Sequence, residues 1–187
     1  MKILGVDPGT WHTGIGVIEA SGNRYGLLHF EVIHQNRNAP LAERLKKIYD
    51  GVQEVLRVYE PSVLALENIF FGRDLRAMVK IGEARACVML AAAQRGVDVV
   101  EYPPARVKQA VCGSGAATKD QVQFMVRKLL NLQTALPADG SDALAAALCH
   151  LHTRPMSGAC AKADILIKGR RTLNKKFEEK VKAALAR

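Results

Sequence analysis

Two short apolar runs in this chain each end on a carboxylate, and this constrains its fold more than any other feature. KILGV leads into Asp7, VLAL leads into Glu67, and Asp139 and Asp142 open the apolar segment DALAAAL. Short apolar runs of this length read as buried strands, and DALAAAL reads as a buried helix start. A carboxylate carried to the end of a buried element loses hydration that it cannot regain without a partner. Four such groups are best accommodated if the strand ends and the helix start converge and share one partner. For a set of oxygen donors, that partner is a hard cation such as Mg²⁺ or Mn²⁺. The donor set is that of a metal-dependent phosphoryl-transfer site.

The order of elements fits such a convergence. Residues 2–7, 14–20 and 25–34 read as strands, with Ser21-Gly22-Asn23 as a turn signal, so the chain opens as an antiparallel meander. Pro40 starts a helix to about Tyr59, in which Leu41, Leu45, Ile48, Val52, Val55 and Leu56 recur at three- and four-residue steps. A strand at 63–67, a helix at about 74–95 and a strand at 97–102 follow. Helices near 104–111, 118–131 and 139–153 complete the order β-β-β-α-β-α-β-α-α-α, an α/β fold with a five-stranded mixed sheet flanked by helices. The composition shifts after Arg154, giving two expected parts, 1–154 and a basic, partly helical tail at 155–187.

Charge narrows the function. The chain carries a formal +9, yet its proposed site is acidic. An acidic pocket on a basic protein suits a polyanionic substrate whose backbone the surface grips. Residues 155–187 supply nine Lys/Arg against three Asp/Glu, a net +6. The four cysteines show no C-x-x-C spacing and the histidines no paired ligand pattern, so zinc binding is not expected. Neither a signal peptide nor a membrane-spanning run is evident, and a cytoplasmic location is expected.

The stretches DPGTWHTGIGVI, LALENIFF, ARVKQAVCGSGAATKDQV and DGSDALAAALCH, in this order across residues 1–153, resemble the RuvC family of crossover junction endonucleases, the Holliday junction resolvases. The resemblance implies an RNase H-like fold, a homodimer and paired symmetric nicks across a four-way DNA junction in recombination and repair. It also implies two Mg²⁺ per subunit, replaceable by Mn²⁺, and the RuvA–RuvB branch-migration complex as partner. The family's catalytic and metal-holding carboxylates fall on Asp7, Glu67, Asp139 and Asp142. Its stacking phenylalanine falls on Phe70, and its DNA-contacting basic residues on Lys108 and Lys119.

The residues alone leave more open. Phe70 and Phe71 follow the Glu67 strand directly, so one of them is expected to leave the core, where it could stack on an unpaired base or pack under a loop. Lys108 and Lys119 flank a Gly-Ser-Gly segment expected to be flexible, from which they could hold phosphate. His150 and His152 suit a helix C-terminus and are left out of the metal shell. In the tail, Leu173, Phe177, Val181 and Leu185 recur every four residues behind KGRRTLNKK. This reads either as an extra DNA grip or as a solubilising extension.

Three other functions are weaker. Asp7-x-Gly-Thr10 also occurs in the phosphate loop of the actin, sugar-kinase and Hsp70 ATPases, but those need two comparable domains, and 187 residues are too few for both. A non-catalytic junction binder gains nothing from carboxylates near phosphate. A nuclease for RNA–DNA hybrids fits the acidic set but not the context of Phe70, Lys108 and Lys119.

Overall fold

Alternation along the strands decides which residues reach the site. The structure is a computed structural model that describes residues 1–22, 24–68, 75–134 and 136–153. Its elements are β1 (Lys2–Asp7), β2 (His12–Ser21), β3 (Arg24–His34), α1 (Leu41–Tyr59), β4 (Val63–Glu67), α2 (Leu75–Gln94), β5 (Asp98–Tyr102), α3 (Pro104–Cys112), α4 (Lys119–Leu129) and α5 (Ala138–Thr153). The five strands lie in the order β3-β2-β1-β4-β5. The first three form the expected antiparallel meander, and β1, β4 and β5 run parallel. This is the mixed-sheet, RNase H-like arrangement that the motifs imply. The Asp7 and Glu67 ends of β1 and β4 therefore point the same way.

Helices cover both faces, which is why β1 and β4 read as continuous apolar runs rather than alternating ones. On one face, Leu4, Val6, Leu64 and Leu66 pack with Ile48 and Val52 of α1 and Val88 of α2. On the other, Ile3 and Ala65 pack with Val107 of α3, Val126 of α4 and Leu144 and Leu148 of α5. Side chains alternate along a strand, so Ile3, Gly5 and Asp7 share the α5 face. By the same rule Glu67 follows Ala65 onto it.

Glycine sets how closely α5 lies on the sheet. A Cβ on Gly5 would fall 1.9 Å from the Ala143 carbonyl oxygen, and one on Gly16 would fall 2.4 Å from Leu144 Cδ2. Bare backbone on β1 and β2 thus faces a helix whose central residues are mostly alanine. Packing this close is what brings the start of α5 to the end of β1.

Local signals end the helices where needed. Glu60 adopts a left-handed conformation with φ 48° after α1, and Pro61 follows. Thr118 and Gln121 form a reciprocal capping box that starts α4 at Lys119. The start of β2 differs from expectation. It begins at His12, two residues before Gly14, because pairing with β3 continues out to His12 opposite His34. The polar His12-Thr13 pair hides that extension from hydrophobic periodicity. Phe70, Phe71, Asp74 and the 155–187 tail lie outside the described residues.

Candidate active site

Asp7 ends β1 directly opposite Gly14 of β2. A Cβ on Gly14 would sit 2.0 Å from the backbone oxygen of Asp139, so the first turn of α5 lies against the strand pair that carries Asp7. Asp142, one turn further on, shares a helix face with Asp139. Glu67 arrives from β4, next to β1 in the sheet.

The electrostatics report this convergence. Burial first, and then the neighbouring charges of Asp142, Glu67 and Asp139, together push the Asp7 carboxyl up to about 7 against an opposing pull from Lys119. Glu67 is also raised, first by burial and then by Asp142, while Lys108 and Lys119 oppose the shift. All four expected carboxylates and both expected lysines therefore act on one small region. Lys119 Nζ pairs with Asp142 Oδ2 at 2.8 Å, and that bond, with the attraction of Asp142, Asp7 and Asp139, holds the lysine above its usual range.

The lysines stand on firmer supports than the expected flexible segment. Lys108 lies within α3, and Lys119 is the first residue of α4. Between them, the Gln109 side chain donates to the Gly113 carbonyl at 2.8 Å and accepts from the Gly115 amide at 3.1 Å. Gly113 takes the left-handed φ of 77° that ends α3. The Gly-Ser-Gly segment is thus a pinned turn.

Two supports escaped the sequence reading. Arg85, 6% exposed within α2, donates from Nη1 to the Glu67 carbonyl at 2.5 Å and from Nη2 to Glu101 Oε1 at 2.6 Å. It fixes the end of β4 to β5 from behind. The signal was an arginine inside the otherwise apolar ARACVMLAAA, where a charge is retained only if paired. Beyond Asp7, the Thr13 hydroxyl donates to the Gly9 carbonyl at 2.7 Å. Arg44 lies over the Trp11 ring at 4.2 Å, with Nη1 directed at the Thr10 carbonyl at 3.4 Å. These contacts brace the Pro8–Trp11 turn, so Asp7 ends a fixed strand rather than opening a loose loop.

Other expected roles resolve simply. His150 Nδ1 lies 2.7 Å from the Tyr102 hydroxyl, and His152 Nδ1 lies 2.7 Å from the Ala110 carbonyl. Both imidazoles are committed to these partners. The Ser141 hydroxyl is buried and makes no hydrogen bond. Cys87, Cys112 and Cys149 are free thiols.

Among the described residues no three His, Cys, Asp or Glu side chains form a ready-made metal cage. Clustered carboxylates repel one another, and Asp142 is engaged by Lys119. The donor chemistry nonetheless fits a hard divalent ion, because the site is built of oxygen donors with more negative charge than its lysines offset. No helix among the described residues is long and apolar enough to cross a membrane.

Comparison with known proteins agrees with this fold. The family model for crossover junction endodeoxyribonuclease RuvC matches residues 3–150. A crossover junction endodeoxyribonuclease RuvC of Syntrophotalea carbinolica is 50% identical over 154 residues, covering 81% of this chain and 94% of the relative. Its counterpart in Desulforamulus reducens is 46% identical over 151 residues, covering 80% and 93%. Among solved structures, T. thermophilus RuvC in complex with a Holliday junction substrate superposes with a TM-score of 0.78 at 40% identity, covering 81% of this chain and 93% of that one. The chain belongs to the RuvC family of crossover junction endodeoxyribonucleases.

Proposed function

We propose that this chain resolves four-way DNA junctions by hydrolysing one phosphodiester in each of two symmetry-related strands, in recombination and repair. The observation that carries the reading is the convergence of four carboxylates on one sheet face, where burial and then the charges of the other three push Asp7 up to about 7, in a member of a junction-nuclease family. Asp7, Glu67, Asp139 and Asp142 hold the ions, two Mg²⁺ per subunit with Mn²⁺ as a substitute. When bound, such ions supply an activated water and offset the charge that builds on the phosphorane-like state. Lys119 and Lys108 stand beside the carboxylates and meet the scissile strand's phosphates. Phe70, three residues past Glu67, stacks on a base opened at the crossover. The 1–154 part carries the chemistry, and the basic 155–187 segment adds non-specific attraction for DNA.

Paired cutting requires two sites, and α2 offers a surface for a second copy. Leu75, Val79 and Leu90 are 73%, 61% and 59% exposed. These apolar side chains on one helix suit burial against another protomer. The resemblance adds the RuvA–RuvB complex as a working partner and the cytoplasm as the location.

The decisive experiment compares Mg²⁺-dependent cleavage of a synthetic four-way junction with duplex and RNA–DNA hybrid controls, with Asp7→Asn in parallel. Symmetric junction nicks that vanish in Asp7→Asn while binding persists support the reading. Preferential cleavage of the hybrid, or ATP hydrolysis without DNA cleavage, would overturn it.

A further inference from the structure

The hairpin of β2 and β3 creates a histidine pair that sequence spacing conceals, since His12 and His34 lie 22 residues apart. They face each other across the strands. The next pair outward is hydrogen-bonded, with the Gln35 amide donating to the Trp11 carbonyl at 3.0 Å. In an antiparallel ladder, bonded and non-bonded pairs alternate, so His12 and His34 form a non-bonded pair, the type with the closest side chains. Their Nδ1 atoms are 3.0 Å apart, and the rings meet edge-on at 75°. Both residues are exposed.

We infer that His12 and His34 form a second metal site that takes a borderline divalent ion such as Cu²⁺, Ni²⁺ or Zn²⁺ through both Nδ1 atoms. Two imidazole nitrogens about 2.0–2.1 Å from one tetrahedral ion lie about 3.3 Å apart, so small ring rotations suffice. The 3.0 Å separation fits a hydrogen bond in which one Nδ1 donates to the other. Binding moves the donating ring to its Nε2–H tautomer and leaves two lone pairs for the ion, with no change in net protonation. Lys47 Nζ donates to the His34 carbonyl at 2.8 Å, a positive charge close to the pair, so a cation there relies on nitrogen ligation. That selects against Mg²⁺ and Ca²⁺ and favours Cu²⁺ and Ni²⁺. Only two protein donors take part, which leaves coordination positions open to solvent.

The test is titration of metal-free, tag-free full-length protein with Cu²⁺ alone, followed by electron paramagnetic resonance. The wild type should show one tight site with coupling to two nitrogens, and Asp7→Asn should keep it. His12→Gln and His34→Gln should each lose a nitrogen coupling and weaken binding about ten-fold or more. Circular dichroism on each variant confirms that the hairpin is retained. A two-nitrogen signal that survives both substitutions would overturn the inference, as would a wild-type spectrum with oxygen ligands only.

Discussion

The backbone oxygen of Asp139 occupies the space where Gly14 would carry a side chain, 2.0 Å from that Cβ position. Asp7 is the cross-strand partner of Gly14, so the spacing between two of the carboxylates is set by a missing methyl group. Gly14→Ala should force the first turn of α5 away from the sheet. Overpacking of this kind costs about 1–3 kcal/mol, visible as a lower denaturation midpoint. Cleavage should fall by about 10²-fold, the effect of displacing a catalytic group by about 1 Å. Wild-type cleavage by Gly14→Ala would show that α5 can shift without moving its carboxylates.

Acidity should act on stability and on metal binding in opposite senses. The Asp7 carboxyl rises from its ordinary 3.8 to about 7, so the folded chain holds this proton more tightly than the unfolded one. Its contribution is complete below about pH 4 and is lost as pH rises through 7; the shift corresponds to roughly 4 kcal/mol at most. Metal-free protein should therefore be less stable at pH 8 than at pH 5.5, and Asp7→Asn should flatten that slope. Mg²⁺ needs the ionised form, so cleavage should weaken as pH drops below 7. Chemical denaturation across pH, with and without Mg²⁺, and a pH–rate profile measure both effects.

Lys119 should show a split phenotype. Its ammonium pairs with Asp142 at 2.8 Å and so competes with any ion for that carboxylate. Lys119→Met should lower the Mg²⁺ concentration needed for half-maximal cleavage. The maximal rate should fall by about 10-fold or more as the phosphate contact is lost. A titration of rate against Mg²⁺ separates the two effects.

Arg85 supports the site without facing it. Arg85→Met removes the donors to the Glu67 carbonyl and Glu101. Leaving these acceptors unpaired should cost about 1–3 kcal/mol. Junction affinity measured without metal should stay near wild type while the cleavage rate falls, because the backbone carrying Glu67 is loosened.

The apolar face of α2 predicts an oligomeric change. Leu90→Arg, at a position 59% exposed in one chain, should leave the monomer's stability within about 0.5 kcal/mol. By analytical ultracentrifugation it should convert dimers to monomers, and paired nicking should be replaced by single nicks.

Much of this architecture was legible in the residues, for reasons specific to each. Asp7 and Glu67 stood out because strands covered on both faces leave few places for a carboxylate, and Asp139 and Asp142 because three-residue spacing puts them on one helix face. The element order followed from periodicity, and its errors were confined to ends such as His12, where strand pairing outlasts the hydrophobic pattern. Arg85 was missed because its partners are a main-chain carbonyl and a residue of a different strand, neither of which spacing reveals. The pinned Gly113–Gly115 turn was missed because its bonds come from Gln109, a surface residue by composition. The His12–His34 pair needed the hairpin register.

The glycine-lined seat of α5 also bears on when the protein becomes dangerous to DNA. Asp7 lies in a strand that is synthesised well before α5, the helix that carries Asp139 and Asp142. Contacts this distant in sequence form late, after the long intervening loop has closed. A nascent or partly folded chain thus carries β1 and β2 without the full set of carboxylates. On the proposed assignment of the catalytic carboxylates, docking of one alanine-rich helix into a bare groove arms the nuclease, and strand scission waits until folding of the sheet domain is complete.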